Sequence, residues 1–446
     1  MTEPAMSVSP YWELTFDADG DADGRERDRW IEQVPRRGVR DLIVFAHGWN
    51  NDRSGATLLC SRFFEPVPDL APTARLGYVG VMWPSMRFSD EPIPDFPRSA
   101  ATVDAATGER PVLGKNTRHA LLEVFPGRAT VVEQLARLLD QQPDEGVSLE
   151  EFGRLVRLLV EIRPQGPQNS FTADTLAEGV PEGDPEMLFG DTATVCGEFA
   201  RELAGARAGD SGVPGAAAFA PVRLWDGAHE LLRQATYYAM KRRAGTVGER
   251  GLGRAIGLLA AAAPDVRVHL VGHSFGGRLV SFALRGLPPG VRTVKSVTLL
   301  QGAFSHYAFA ARLPHDTRSS GVLDGQYHRI DGPLVCCYSR FDSALGTVYP
   351  LASRMAGDSR AVAADFGLGR ALGAKWGAMG HDGVQAVPGT RSLTLAEAVR
   401  TRLPVSGCVN VDAASVVRRG GAPSGAHSDI CHRELAQVVL AAGRVR

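Results

Sequence analysis

The stretch from Val266 to Val280 constrains the fold of this chain more than any other. A β-branched apolar run leads into Gly272-His273-Ser274-Phe275-Gly276, and apolar residues then recur at helical spacing. This pattern predicts a buried strand, a tight turn that holds Ser274, and an amphipathic helix. Gly272 and Gly276 suit positions at which a β-carbon would clash with neighbouring backbone. Because a chain with 50 glycines can contain G-x-S-x-G by chance, the flanking strand and helix carry the prediction.

Length and composition limit the class of protein. A chain of 446 residues is long for one domain, so we expect two domains or one domain with a substantial insertion. Its 44% hydrophobic and 22% charged residues are typical of a globular protein. The net charge of −1 provides no overall electrostatic attraction to nucleic acid or to an anionic membrane. We therefore expect no nucleic-acid partner.

No export or membrane-insertion signal is visible in the sequence. The first residues lack the basic and apolar regions of a secretory signal, and no apolar run approaches the ~18 residues of a membrane span. The six cysteines form no C-x-x-C pair, and we expect reduced thiols. A disulfide between Cys408 and Cys431 is the alternative. These features predict a cytoplasmic protein.

Three strands are predicted before residue 87. Residues 11–16 alternate as an edge strand does, and residues 41–46 form a fully apolar strand. A third strand, residues 77–85, follows a connection with room for one helix. Several aspartates after the first strand invite comparison with a calcium-binding loop. Trp30 occupies the position of the bidentate glutamate in that loop, so we interpret these aspartates as a solvated acidic turn.

Core patterning lapses at about residue 87 and resumes near residue 221. We interpret residues 87–220 as a large, mostly helical cap inserted into an α/β core, whose N-terminal part is 1–86 and whose C-terminal part is 221–446. A glycine-rich turn is expected between the two helices that precede the strand before Ser274. The predicted helices are 130–141, 149–163 (opening with a capping box at Ser148), 225–243 and 252–263.

The strand ends supply partners for Ser274. A serine hydroxyl is a poor nucleophile unless a base removes its proton, and an imidazole base needs a carboxylate to orient it. The C-terminal ends of parallel strands share one edge of a sheet. Asp342 directly follows the strand predicted at 333–338, and His427 lies between the last strand and the last helix. We predict that His427 is the base and Asp342 the orienting acid.

Other residues compete for these roles. Asp412, at the end of the last strand, is the alternative acid, and His381, in a glycine-flanked loop, is the alternative base. Asp324 and Asp331 precede their strand, so we expect them at the opposite edge of the sheet. His273 flanks Ser274 and is expected to point elsewhere.

An acyl-transfer site also needs two N–H donors that converge on the developing oxyanion. One is expected from Phe275, the residue after Ser274. The other is expected from Trp49, in the loop His47-Gly48-Trp49 that follows the strand 41–46. We expect the ring of His47 to brace this loop and to move no proton.

Taken in this order, His47-Gly48, the pentapeptide around Ser274, Asp342 and His427 resemble the α/β-hydrolase superfamily over residues 40–86 and 221–446. The resemblance implies an eight-stranded, mostly parallel twisted sheet with helices on both faces and a cap over the pocket. It also implies a small-molecule acyl substrate and no metal or organic cofactor. The long insertion and the long 343–404 connection depart from the usual pattern and leave the substrate open.

The leading hypothesis is a serine hydrolase that cleaves a carboxylic ester, or alternatively a thioester or an amide. A second hypothesis is a binding or scaffold module that keeps the fold without turnover. A third is acyl transfer to an alcohol or amine, which depends on the exclusion of water. The sequence does not indicate whether the protein is a monomer or an oligomer.

Overall fold

The structure is a computed structural model of the chain. It describes residues 6–49, 51–86, 113–143, 146–160, 169–177, 180–181, 188–210, 223–342, 344–345, 377–420 and 425–446. Parts of the predicted insertion, including 87–112 and 211–222, lie outside the described residues, as does 346–376 in the connection before the last strand. The boundaries of the predicted domains stay predictions.

The fold is mixed α/β, and eight of the described strands form one parallel sheet. The order across this sheet is β1-β3-β2-β6-β7-β9-β11-β10, with β1 at one edge as predicted. A small antiparallel sheet has the order β5-β4-β8. The strands are β1 Tyr11–Thr15, β2 Asp41–Ala46, β3 Leu76–Met82, β4 Thr175–Ala177, β5 Val180–Pro181, β6 Arg267–His273, β7 Val294–Leu300, β8 Ser320–Gly321, β9 Pro333–Tyr338, β10 Arg391–Thr394 and β11 Gly407–Asp412.

Helices cover both faces of the large sheet. A π-helical turn, Val247–Leu252, joins two of them, and a 3₁₀ turn spans Gln326–Arg329. The α-helices are α1 Gly24–Arg36, α2 Arg53–Phe64, α3 Val67–Leu70, α4 Lys115–Val124, α5 Ala129–Gln141, α6 Val147–Leu159, α7 Asn169–Thr172, α8 Thr192–Asp210, α9 Leu224–Thr246, α10 Gly253–Ala262, α11 Phe275–Gly286, α12 Met379–Asp382, α13 Leu395–Arg400 and α14 Arg433–Gly443.

Successive residues of the central strands point to two separate apolar layers. Leu42 and Val44 of β2 pack in a layer with α1 and α9 to α11, whereas Ile43 and Phe45 pack with α2 and α14. This explains the fully apolar run of β2, since a strand covered on both faces has no side that needs polar residues. Helices α4, α5, α6 and α8, all within the predicted insertion, contribute to the first layer.

Three local predictions were wrong. The glycine-rich turn before residue 252 is helical instead: α9 continues through the π-helical turn into α10. Its glycines serve close packing, because a β-carbon on Gly248 would collide with the carbonyl oxygen of Leu279 in α11. Helix α6 begins at Val147, so Ser148 is inside it and makes no capping box. Strand β10, short and largely exposed, was missed.

The structure bears on the predicted state of the cysteines and on the search for membrane-spanning helices. All six cysteines are free thiols, and Cys408 and Cys431 form no disulfide. Among the helices that the structure describes, none is long and apolar enough to cross a membrane.

Candidate functional site

Ser274 lies in a strained turn between β6 and α11. Its φ of 54° and ψ of −121° place a non-glycine residue in the left-handed half of backbone space. The turn is tight because the two glycines allow close approach. A β-carbon on Gly276 would collide with the Ala46 carbonyl of β2, and one on Gly272 would collide with the Gly276 carbonyl. The strand, turn and helix predicted around Ser274 are therefore present.

The side chains of Ser274, His427 and Asp342 form one hydrogen-bonded chain. His427 Nε2 lies 2.8 Å from Ser274 Oγ, and His427 Nδ1 lies 2.7 Å from Asp342 Oδ2. Because a carboxylate only accepts hydrogen bonds, Nδ1 carries the proton and Nε2 is left to accept from the serine hydroxyl. In the sequence, His427 lies 153 positions after Ser274 and 85 positions after Asp342. The fold brings all three together at the C-terminal edge of the sheet.

Asp342 is fully buried and held from several sides. The backbone N–H of Leu345 donates to its Oδ1 at 3.0 Å, and the amide of Gln301 lies 3.5 Å from its Oδ2. Gln301 itself has a positive φ of 47°, directly after β7. The carboxylate thus keeps its orientation toward His427 without contact with bulk solvent.

The loop after β2 lies directly against Ser274. A β-carbon on Gly48 would come within 2.7 Å of the Ser274 β-carbon, so only glycine fits there. The His47 ring is buried, stacks on Trp83 and donates from Nδ1 to the Gly48 carbonyl at 2.9 Å. Burial lowers the pKa of His47 to about 4, which keeps its ring neutral. Its predicted bracing role agrees with these contacts.

Two partly exposed aromatic rings pack near Phe275, the residue after Ser274. The ring of Tyr237 in α9 packs 4.8 Å from that of Phe275, and the ring of Trp49 packs 5.7 Å from that of Tyr237. Phe275 is the first residue of α11, where backbone N–H groups have no partner within the helix. The expected oxyanion roles of the Phe275 and Trp49 N–H groups stay predictions.

The alternative acid and base have other partners. Asp412 caps the turn after β11 by accepting from the N–H of Ala414 at 2.9 Å. His381 Nδ1 bonds to Asp382 Oδ1 at 2.8 Å, and that hydrogen bond raises the pKa of His381. Asp331, expected at the far edge of the sheet, pairs with Lys295 at 2.6 Å. Within the described chain, His427 is the histidine whose ring reaches Ser274.

Sequence reasoning missed one neighbour of the base. His273, expected to point elsewhere, lies with its Nε2 2.9 Å from the backbone oxygen of His427. Its position beside Ser274 was the available signal, but nothing local reveals a partner 154 residues away.

A second buried cluster of charges surrounds Arg278, which lies one helical turn along α11 from Ser274. Arg278 is fully buried and forms an ion pair with Asp174, while Lys241 Nζ lies 2.8 Å from the other oxygen of the same carboxylate. Arg278 also donates to the carbonyls of Phe171 and Ala173, and Asp174 accepts from the Ser305 N–H. This cluster joins part of the predicted insertion to the helix that follows Ser274.

Among the described residues, no group of three or more histidine, cysteine, aspartate or glutamate side chains is arranged to hold a metal ion. No protein-family model, curated protein or solved structure matches this chain. The function must therefore be argued from the geometry and chemistry of the side chains.

Proposed function

We propose that this protein is a serine hydrolase of the α/β-hydrolase type that cleaves a carboxylic ester, with a thioester or amide as alternative substrates. One observation carries the proposal: the ring of His427 bridges Ser274 Oγ and the buried carboxylate of Asp342 at 2.8 and 2.7 Å. This is the arrangement that activates a serine for attack on a carbonyl. Residues 87–220 would then be the cap over the pocket, and the cytoplasm is the expected location.

The first half of the reaction forms an acyl-enzyme. Ser274 Oγ attacks the substrate carbonyl carbon while His427 Nε2 takes the hydroxyl proton, and Asp342 stabilises the imidazolium that results. The tetrahedral intermediate then collapses, the bond to the leaving oxygen breaks, and His427 returns the proton to that oxygen. An alcohol leaves, and the acyl group stays on Ser274.

The oxyanion of the intermediate needs donors that are already in place. The N–H of Phe275 at the start of α11 would supply one, assisted by the positive end of the helix dipole. The N–H of Trp49 would supply the second. This role is supported by the close approach of the preceding residue, Gly48, to Ser274. The positive φ of Ser274 is the strained backbone expected of a nucleophile in such a turn.

The second half of the reaction repeats the chemistry with water. His427 takes a proton from water as the water oxygen attacks the acyl carbon, and it then protonates Ser274 Oγ as the acyl bond breaks. A carboxylic acid is released and the enzyme is restored. No cofactor is required for either half.

Replacement of the nucleophile tests this proposal. We expect Ser274→Ala to lower kcat for a short p-nitrophenyl ester by roughly 10⁴-fold or more. A fluorophosphonate probe should label the wild-type protein on Ser274, with a new O–P bond replacing the P–F bond as fluoride leaves. His427→Ala should abolish that labelling.

Ser281→Ala is the matched control, because Ser281 is a buried serine in α11 whose hydroxyl bonds to the Gly277 carbonyl at 2.7 Å. It should keep near wild-type turnover. A folded wild-type protein that neither hydrolyses esters nor labels would instead support the binding-module hypothesis. Product analysis with added alcohols or amines separates hydrolysis from acyl transfer.

A further inference from the structure

His273 is the last residue of β6 and immediately precedes Ser274. Its side chain is buried, and its ring centre lies 5.1 Å from that of His427. Its Nε2 is 2.9 Å from the backbone oxygen of His427. The element that presents the serine therefore also contacts the backbone of the residue that would activate it.

The direction of this hydrogen bond follows from the acceptor. A carbonyl oxygen only accepts, so His273 Nε2 carries the proton and donates. Burial, assisted by the nearby His427, lowers the pKa of His273 to about 3. The ring is therefore neutral across the physiological range, and it adds no positive charge that would oppose protonation of His427 during the reaction.

The contact with His273 holds the loop at the carbonyl of His427 itself. The preceding residue, Ala426, donates its N–H to the Phe341 carbonyl at 2.9 Å. The two ring hydrogen bonds of His427 fix the rotation of its side chain. The contact to its carbonyl oxygen fixes the position of the backbone from which that side chain extends. A small displacement there would lengthen the 2.8 Å contact between Nε2 and Ser274 Oγ.

We propose that His273 is a positioning residue that holds the backbone of His427, so that His427 Nε2 stays within hydrogen-bonding distance of Ser274. This inference rests on the proposed serine-hydrolase function. It assigns to the residue before the nucleophile a role in placing the base, distinct from the tautomer control that Asp342 exerts. A residue with only a packing role would change stability but would leave the reactivity of the folded protein unchanged.

The test compares three substitutions at this site by the rate of fluorophosphonate labelling and by its pH dependence. His273→Met keeps the bulk and removes the donor. His273→Gln places an amide nitrogen near the position of Nε2. The side chain in His273→Asn is too short for its amide to reach the backbone oxygen of His427. We expect Met and Asn to slow labelling about 10- to 100-fold and Gln to recover most of the rate.

His269→Met is the matched control. His269 lies in the same strand, is equally buried, and uses both ring nitrogens in hydrogen bonds, to Ser296 and to Asp41 at 2.9 and 3.0 Å. It belongs to the opposite end of β6, so its loss should lower the melting temperature without slowing labelling of the folded protein. The pH dependence of labelling should change in His273→Met and stay as wild type in His269→Met.

Each outcome either supports or overturns the positioning role of His273. A folded His273→Met that labels at the wild-type rate overturns the positioning role while leaving the hydrolase proposal intact. If His273→Met fails to fold, the Gln and Asn pair carries the test, and equal labelling rates for the two overturn the role. A wild-type protein that never labels overturns the hydrolase proposal and, with it, this inference.

Discussion

Two buried aspartates, Asp342 and Asp174, have opposite surroundings. Asp342 faces a histidine that can gain or lose a proton and, beyond it, the hydroxyl of Ser274. Asp174 faces Arg278 and Lys241, and it also accepts from the backbone N–H of Ser305. Ser274 and Arg278 are four residues apart, so a single helical turn separates the two arrangements.

The difference shows what a buried carboxylate can do in each setting. The arrangement at Asp342 allows a proton to move from the serine hydroxyl to His427, because one ring nitrogen is bound to the ionised acid and the other to that hydroxyl. The cluster at Asp174 allows no such transfer, since arginine keeps its protons in proteins. The first arrangement is suited to chemistry, and the second to holding three distant segments together.

The largest expected effect is on turnover at Asp342. We predict that Asp342→Asn lowers kcat by roughly 10⁴-fold, because an amide no longer fixes the proton on His427 Nδ1. Ester hydrolysis under saturating substrate measures it. Asp412→Asn is the control, since Asp412 ends the neighbouring strand and caps a turn. Equal losses in the two variants would contradict the assignment of Asp342.

The next effect is on stability at Asp174. We predict that Asp174→Asn lowers the free energy of unfolding by about 3–5 kcal/mol, because two buried cations lose their carboxylate. Urea unfolding measures it. Asp331→Asn removes the exposed pair with Lys295 and should cost less than about 1 kcal/mol. A loss of labelling rate in stable Asp174→Asn protein would show instead that this cluster acts on the reacting groups.

The same contrast explains what the sequence could predict. Ser274 is predicted from a local signal: an apolar strand, two glycines and an amphipathic helix within 15 residues. Asp342 and His427 are predicted because the ends of parallel strands meet at one edge of the sheet, which limits the candidate residues. Strand order predicts that the three residues share one edge of the sheet. It does not specify the distances between their side chains.

Arg278 could not be predicted because its partners are remote. In the sequence it is one arginine among many on a helix, and Asp174 lies 104 residues earlier within the predicted insertion. The glycines near 248 misled for a related reason. Glycine is common both in turns and where two helices touch, and only the position of α11 decides between these.

The smallest expected effect is a difference in pH dependence between His47, which lies in the loop beside Ser274, and the Asp174 cluster. Burial lowers the pKa of His47 to about 4 from an ordinary 6.5, so as the pH falls below 6.5 the unfolded chain binds a proton before the folded protein does. Stability must therefore fall between pH 6.5 and 4. Between pH 7 and 5 we predict that His47→Asn reduces this fall by about 1–2 kcal/mol, as measured by urea unfolding at both pH values.

Asp174→Asn provides the contrast in the same experiment. Burial alone would raise the pKa of Asp174, but Lys241 and Arg278 overcome it and lower the pKa to about 2 from an ordinary 3.8. The carboxylate is then ionised in both the folded and unfolded states at pH 5 and above. Its stabilising contribution is lost only as the pH falls from 3.8 toward 2. Asp174→Asn should therefore keep the wild-type change between pH 7 and 5, and a reduced change there would mean that the Asp174 cluster is coupled to His47.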